Sequence, residues 1–300
     1  MVFAPSSLIL TNYYLPLSGA LYLLENMELN LSKEVPKFIY HYTSLDSLAC
    51  ILEHRTIRFS KLNNLNDPLE GKTRDLDASE HLVYCSSWTA HERETIPLWK
   101  MYSGLDGIRL KMPCDMFTNR SIKTSNYYSG TNRDGMEVNH ADLCKGIKTI
   151  STSNAIISLD TVFGPDEIEY VEIDKPLEID VVTKTIRAEK QGPVEGCYIN
   201  LSRVGLYKND DWAYEKEWRY RLLYNPLFGP GYPIVSANEF CKVIRFSEEY
   251  IDVPIKQSAI DNIEVMLGPK HSSPQSIILQ ALLEKYSANF EIKESGILIK

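Results

Sequence analysis

The alternation of apolar and polar residues predicts many short strands and few helices. Segments 38–43 (FIYHYT), 56–60 (TIRFS) and 82–88 (LVYCSSW) are rich in β-branched and aromatic residues, which favours strands. Further strands are predicted at 108–112, 168–173, 241–246 and 260–267, and the short apolar segments 290–293 and 297–299 close the chain. Turn-rich polar stretches separate these segments, as expected for a sheet built from short strands.

Helical spacing of apolar residues occurs in a few segments. In 44–53 the apolar positions recur at helical intervals, and Thr43 or Ser44 precedes them as a cap. Segment 97–102 starts at a proline, which suits the first position of a helix. The clearest amphipathic helix is 274–286, while 195–208 and the start of 139–160 favour helix more weakly. The fold class is therefore α+β, with several short mixed or antiparallel strands and peripheral helices.

The first residues differ from the rest of the chain. Segment 1–26 is apolar but is interrupted by Pro5 and Pro16, and it lacks a positively charged start, so it does not fit a signal peptide. Its uninterrupted apolar runs are shorter than the roughly 20 residues that a spanning helix needs. We expect residues 1–36 to be an extension, with translation starting either at Met1 or at Met27, and residues 37–300 to form a single α+β domain.

Composition narrows the class of protein. The chain is 44% hydrophobic and 24% charged, as in ordinary globular proteins, and its net charge of −8 argues against coating of nucleic acid. Six cysteines without a C-x-x-C pair favour reduced thiols in a cytoplasmic protein. The six histidines show no ligand spacing, so no metal site is predicted. No membrane association is expected, and the oligomeric state stays open.

The charged stretch 211–223 (DWAYEKEWRYRLL) is the strongest candidate for chemistry. If it is extended, Glu215, Glu217, Arg219 and Arg221 share one face, while the aromatic residues between them point to the other. Such a pattern is typical either of a solvated, salt-bridged edge strand or of a functional site. Both readings stay open at this point.

The loop 61–71 is the second candidate. It contains the sequence N-D-P-L-E at 66–70, and Pro68 restricts Asp67 to extended geometry. An Asn-Asp-Pro turn is often purely structural, with Asp67 capping the following residues. The same polar loop also suits a binding role in which Asp67 and Glu70 shape a pocket.

Several motifs occur in an order that resembles a known family. The Tyr40-His41-x-Thr43 strand, the short helix and the I-R-F-S strand resemble the opening of the ADP-ribosyltransferase superfamily. A fuller set is similar to a bacterial family of unknown function: Y-H-Y at 40–42, I-R-F-S at 57–60, N-D-P-x-E at 66–70, C-S at 85–86, L-W-x-x-Y at 98–102, Y-E-x-E-W-R at 214–219 and L-G-P at 267–269. This resemblance covers residues 38–300, and we interpret that family as a divergent branch of the superfamily.

The resemblance implies an ADP-ribosyltransferase-like fold, with the strands around a central cleft, and an enzyme that uses NAD as its substrate. It implies a toxin or phage-defence effector that modifies a protein or a nucleic acid. His41 would bond the nicotinamide-side ribose, Glu217 would stabilise the oxocarbenium-like transition state, and Glu215 would act as base. Stacking of nicotinamide is expected from Tyr42, Trp88, Trp99 or Tyr102. The pyrophosphate would pair with Arg58, Arg219 or Lys100. Further expected NAD-binding residues are Thr43, Ser60, Asn66 and Asp67.

Two other classes remain open from the residues themselves. A cluster of Asp67, Glu70, Glu215 and Glu217 would suit a metal-dependent nuclease-like hydrolase. A non-catalytic module that senses a nucleotide or binds a partner would use the same loop and strand. The chain also departs from the superfamily pattern, because the strand after His41 lacks a partner tyrosine pair. The S-T-S at 151–153 belongs to a branch that begins with arginine and is interpreted as coincidence.

Overall fold

The computed structural model describes residues 34–117, 123–125, 135–137, 150–151, 155–158, 162–172, 179–189, 192–223, 225–228 and 249–300. Val35–Lys300 is one compact unit. The strands are β1 Phe38–Thr43, β2 Thr56–Lys61, β3 Val83–Thr89, β4 Ile108–Pro113, β5 Lys123–Ser125, β6 Gly135–Glu137, β7 Ile150–Ser151, β8 Ala155–Ser158, β9 Phe163–Glu167, β10 Glu169–Val171, β11 Val182–Glu189, β12 Gly192–Ile199, β13 Tyr207–Asn209, β14 Glu217–Leu223, β15 Asn225–Phe228, β16 Tyr250–Pro254, β17 Glu264–Leu267 and β18 Glu291–Glu294.

Helices are short and few within these ranges. The α-helices are α1 Leu45–His54, α2 Ile96–Leu98, α3 Gln257–Ile260 and α4 Ser273–Tyr286. α2 continues directly into the π-helix Trp99–Ser103, and 3-10 helices cover Leu62–Asn64, Ser79–Leu82 and Asp210–Glu215. No helix in the described part of the chain is both long enough and apolar enough to span a membrane. The predicted α+β class is confirmed.

One nine-stranded sheet organises the described body. Its order is β16-β2-β3-β1-β4-β17-β18, with β14 pairing with both β3 and β9. β17 and β18 are parallel, and the other neighbours in this sheet are antiparallel, so the predicted mixed and mostly antiparallel arrangement is correct. Smaller pairings join β10 with β13, β11 with β12, β5 with β6, and β15 with β8 and β7.

One edge of β3 is only partly paired with neighbouring strands. β14 pairs along one edge of β3 over its full length. On the other edge β3 pairs first with β2, at Tyr84 and Cys85, and then with β1, at Thr89. Ser86, Ser87 and Trp88 therefore have no strand partner on that edge. A strand has only two hydrogen-bonding edges, so β2 and β1 follow one another along β3 with a break between them.

Buried apolar side chains hold this sheet in place. Residues such as Ile39, Phe59, Leu110 and Tyr220 belong to one large buried cluster that also includes Leu279 of α4. A second, smaller cluster contains Tyr42, Leu98 and Trp99, with Leu105, Met266 and Ile297 packed against it. The second cluster supports the π-helix next to the break in the sheet.

Local capping signals explain where the two longest described helices begin. Ser44 caps α1 by accepting a hydrogen bond from the Ser47 amide at 3.1 Å, and Ser272 with Gln275 forms a capping box at α4. The predicted strands at 38–43, 56–60, 82–88 and 108–112 and the predicted helix at 274–286 are confirmed within a residue or two. Of the described free cysteines, Cys85 is buried, Cys114 is half-buried and Cys50 is exposed.

The other local predictions have different outcomes. The helix expected at 195–208 is absent, because residues 192–199 pair with β11 over their whole length and 207–209 pair with β10. The strand predicted at 168–173 is present in a shorter form, as β10 Glu169–Val171. The strand predicted at 241–246 and most of 118–135 and 139–160 lie outside the described residues.

Candidate functional site: a pocket between His41 and the Glu215–Glu217 pair

A pocket of about 320 Å³ lies beside the break along β3. His41 lines it together with both glutamates that the sequence singled out, although about 170 residues separate them in the chain. Its lining residues are Tyr40, His41, Tyr42, Asn64, Leu65, Asn66, Ser87, Trp88, Thr89, Leu98, Met101, Tyr102, Lys208, Glu215, Glu217 and Arg219. Residues from the start, the middle and the late part of the chain thus meet in one cleft.

His41 bridges the break in the sheet. Its Nδ1 lies 2.9 Å from the carbonyl oxygen of Ser87, and its ring lies 5.0 Å from the Trp88 ring. Since a carbonyl only accepts, Nδ1 carries the proton. Burial lowers the pKa of His41, which favours the neutral ring. The Nε2 atom of that tautomer is then a hydrogen-bond acceptor, as a bond from a ligand hydroxyl would require.

β14 places Glu217 and Arg219 on one face, as predicted from the alternation. Arg219 donates to Glu217 from Nε at 2.5 Å and from a terminal nitrogen at 2.9 Å. Tyr220, on the other face, packs in the core at 4.8 Å from the Phe117 ring. All seven residues of β14 are buried, and β14 pairs on both edges. The reading of a solvated edge strand is therefore wrong.

Glu215 reaches the site by a different route from the predicted one. It ends the 3-10 helix Asp210–Glu215 instead of lying on the strand. Lys216 then adopts a left-handed conformation, with φ 46° and ψ 53°, and the strand begins at Glu217. The predicted shared face is corrected, because a turn and not strand alternation brings the two carboxylates together.

Lys208 joins the two carboxylates and was not anticipated. Its Nζ lies 2.6 Å from Oε2 of Glu215 and 3.2 Å from Oε2 of Glu217, and all three side chains are buried. The Trp212 ring lies 4.7 Å from the same Nζ. No spacing rule links Lys208 to the E-x-E motif in the sequence. The polar run K-N-D-D at 208–211 looks like an ordinary solvated turn.

Burial and the neighbouring opposite charge shift the pKa values of Glu217 and Lys208 in opposite directions. Burial raises the pKa of Glu217 to about 7, with Lys208 lowering it and Glu215 raising it. Burial lowers the pKa of Lys208, but the attraction of Glu217 and Glu215 outweighs it and leaves that pKa raised. Lys208 is therefore a permanent cation near neutral pH, whereas Glu217 is close to its titration midpoint.

Tyr102 serves the site through its hydroxyl. The residue lies on the π-helix, a feature frequently found at functional sites, and its hydroxyl donates to Oε1 of Glu215. Burial and then this bond raise the pKa of Tyr102, which keeps the hydroxyl protonated. Tyr102 remains 39% exposed and lines the pocket, so it orients Glu215 at the pocket mouth.

Two acidic residues of the N-D-P-x-E loop support the site through contacts with neighbouring residues. Asp67 accepts from the Leu69 amide at 3.0 Å and from the Asn209 amide, next to Lys208, at 3.2 Å. Glu70 pairs with Arg219 through one oxygen, and both side chains are fully buried. Asp67 and Glu70 therefore anchor the strand and the arginine, while Asn66 of the same loop lines the pocket.

The structure relocates several predicted NAD-binding residues. Arg58 is exposed and pairs with Asp252 at 2.9 Å, so the predicted pyrophosphate contact lacks support. Arg219 donates hydrogen bonds to Glu217, Glu70 and the Gly205 carbonyl. These bonds occupy its guanidinium nitrogens, so it connects parts of the protein instead of binding a phosphate. Arg219 nevertheless lines the pocket, whereas the predicted residues Thr43, Arg58, Ser60, Asp67, Trp99 and Lys100 are absent from its lining.

Trp99 has a supporting role instead of the predicted stacking role. It is fully buried, its ring meets Tyr42 edge-on at 4.9 Å, and its indole donates to Glu94 at 2.8 Å. Among the predicted stacking residues, Tyr42, Trp88 and Tyr102 line the pocket. The described residues contain no group of three or more His, Cys, Asp or Glu placed to hold a metal ion.

Part of the chain matches a protein-family model. Residues 98–220 match the model of a family described as a protein of unknown function, DUF2971. The match starts at the L-W-x-x-Y motif and ends within the E-x-E-W-R strand, and it leaves out His41 and the N-D-P-x-E loop. No curated protein and no solved structure matches the chain. The expectation of a domain of unknown function is thereby confirmed for this part of the chain.

Proposed function

We propose that the pocket binds NAD and that the protein is an ADP-ribosyltransferase-like enzyme. The observation that carries this proposal is the meeting of His41, Glu215 and Glu217 on the wall of one cavity. Neutral His41 has the acceptor that a ribose hydroxyl needs. Tyr42 and Trp88 supply aromatic surface against which a flat nicotinamide ring packs.

The charge balance suits a developing cation. Lys208 and Arg219 are the cations that pair with three buried carboxylates, those of Glu70, Glu215 and Glu217. With all five groups ionised, this cluster has an excess of one negative charge. Fixed negative charge in a buried site stabilises positive charge that develops in the transition state. The oxocarbenium-like ribose of NAD is such a charge.

The chemical step is a displacement at the ribose carbon. The bond between that carbon and the nicotinamide nitrogen breaks, and its electron pair leaves with nicotinamide. An acceptor nucleophile then bonds the same carbon, and its proton passes to Glu215. The ionised form of Glu217 stabilises the positive charge that develops on the ribose. The product is an ADP-ribosylated acceptor.

The size of the pocket limits how much of the ligand it encloses. A volume of about 320 Å³ is near the lower end of the roughly 300–1,000 Å³ common for ligand sites. The nicotinamide and its ribose would fill the cavity, and the ADP half would lie across the rim. Met101, Tyr102 and Tyr214 are 45%, 39% and 38% exposed and give this side of the protein an apolar surface for a macromolecular acceptor. A cytoplasmic toxin or phage-defence effector acting on a protein or a nucleic acid fits such an arrangement.

The direct test is release of nicotinamide from NAD by the full-length protein. We expect Glu217→Gln to lower the rate about 100-fold or more, as removal of one electrostatic catalytic group commonly does. Arg58→Met, which changes an exposed residue outside the pocket, is the matched control and keeps the wild-type rate. Equal release by wild type and Glu217→Gln, or none from either, would overturn the assignment.

A non-catalytic NAD-binding module is the second candidate. The observation in its favour is that both glutamates already pair with protein cations, so they also suit a purely structural polar core. Saturable NAD binding by the wild-type protein with no nicotinamide release would select this function.

A further inference from the structure

The cation between the two glutamates has a role that the proposed reaction does not itself assign. Lys208 lies on β13, and its ammonium touches Glu215 and Glu217 at 2.6 and 3.2 Å. The side chain is 5% exposed, so its charge is held out of solvent. A buried ammonium is retained only when it is well paired, and here each of its strong partners is a candidate catalytic carboxylate.

The surrounding groups show why a second cation matters. The other nearby cation that touches Glu217 is Arg219, which also pairs with buried Glu70. If Lys208 lost its charge, Arg219 alone would face three buried carboxylates. Two neighbouring carboxylates without enough compensating charge do not both stay ionised, because one of them takes up a proton.

Other elements also meet the glutamate pair. The Glu217 amide donates to the Tyr170 hydroxyl at 2.8 Å, and Tyr102 donates to Glu215. Neither tyrosine carries charge near neutral pH, since burial raises the pKa of both. The titratable and charged groups facing the pair are Cys85 on β3, Tyr102 on the π-helix, Tyr170 on β10, Lys208 on β13, and Arg219 on β14 with Glu70 behind it.

We infer that Lys208 is a positioning residue of this site, whose ammonium holds the Glu215 and Glu217 carboxylates together and favours the ionised form of Glu217. The catalytic part of this inference rests on the proposed NAD reaction, whereas the ionic part does not. The segment between the carboxylates also turns through Lys216 in the left-handed conformation, so the Lys208 contacts fix a turn that the strand alone does not provide.

The experiment compares Lys208→Met with two references. Lys208→Met keeps the aliphatic stem and removes the charge. Lys111→Met is the matched control, because Lys111 pairs with Glu264 at 3.0 Å on a different part of the sheet. The double variant Lys208→Met with Glu215→Gln removes one negative charge together with the positive one, and it keeps the test usable where the single variant does not fold.

The first readout needs no activity. Glutamate side-chain carboxyls labelled with ¹³C are titrated by NMR in the full-length protein, and the signal lost in Glu217→Gln identifies Glu217. In the wild type we expect this carboxyl to titrate near pH 7. Loss of a contacting opposite charge shifts it upward by about one pH unit or more in Lys208→Met. The double variant moves it back, and Lys111→Met leaves it in place.

The second readout is the pH profile of nicotinamide release. Its acid limb should move upward with the titration in Lys208→Met, so that activity lost at neutral pH returns at higher pH. An unchanged Glu217 titration in Lys208→Met would overturn the role of Lys208 while leaving the NAD reaction standing. A shifted titration with no nicotinamide release from any protein would support the ionic role and overturn the catalytic one.

Discussion

Replacing Glu217 with glutamine removes a buried ionisable group from the centre of the molecule and keeps nearly the same shape. Burial raises the pKa of this carboxyl from its ordinary value of 4.5 to about 7. The folded protein therefore binds a proton at Glu217 more tightly than the unfolded chain does. A group with a raised pKa stabilises the fold at low pH, and this stabilisation is lost as the pH rises through the folded-state value.

The magnitude follows from the two pKa values. One pKa unit corresponds to about 1.4 kcal/mol, so Glu217 accounts for about 2 to 3 kcal/mol of stability that is present at pH 5 and absent at pH 8. Glutamine does not titrate. The free energy of unfolding of the wild type should thus fall between pH 5 and pH 8 by about that much more than the free energy of Glu217→Gln.

The assay is urea denaturation at several pH values, followed by tryptophan fluorescence. Glu284→Gln, at an exposed position on α4, serves as the control and should follow the wild-type curve. Parallel curves for wild type and Glu217→Gln across this range would show that Glu217 does not titrate inside the folded protein. The reasoning about its burial and its pairing with Lys208 would then be wrong.

Three further substitutions test other parts of the structure. Lys216 is exposed and has a φ of 46°, a conformation that glycine adopts easily and a β-branched residue does not. Lys216→Gly should therefore keep the free energy of unfolding in urea, whereas Lys216→Val should lower it by about 1–2 kcal/mol. Equal stability of the two variants would contradict the left-handed turn. Glu94 accepts a hydrogen bond from the Ser295 hydroxyl at 2.6 Å and so holds the C-terminal residues. Glu94→Ala should lower the free energy of unfolding by about 1–3 kcal/mol and speed digestion of the C-terminal residues by carboxypeptidase. An unchanged rate of digestion would contradict this role of Glu94. Arg58→Met should change stability by less than about 1 kcal/mol, because its pair with Asp252 is exposed, and a larger loss would contradict that.

Short-range patterns explain which elements the sequence predicted well. β-Branched and aromatic runs located β1 to β3, alternation located β4, and the alternation of 217–222 correctly separated charged from core-facing side chains. The helix predicted at 195–208 failed because pairing with β11 and β10 overrides local preference in that region. Such pairing is not visible in the residues of one strand alone.

The sequence predicted several residues of the site but not the contacts between them. His41, Glu215 and Glu217 stand out because their motifs are unusual, and they do meet in one pocket. Lys208 escaped notice, since its importance comes only from contacts made after folding. Arg58 was predicted to contact the pyrophosphate because it lies near a motif in the sequence. That position does not show which way its side chain faces, and in the structure it pairs with Asp252.

The central claim is that the pocket between His41 and Glu217 binds NAD. Isothermal titration calorimetry of NAD into the full-length wild type, His41→Ala and Arg58→Met tests it directly. The account predicts one saturable site in the wild type and in Arg58→Met, with affinity reduced about tenfold in His41→Ala, as loss of one buried hydrogen bond of about 1.4 kcal/mol implies. Absence of binding to the wild type, or equal affinity in His41→Ala, would contradict it.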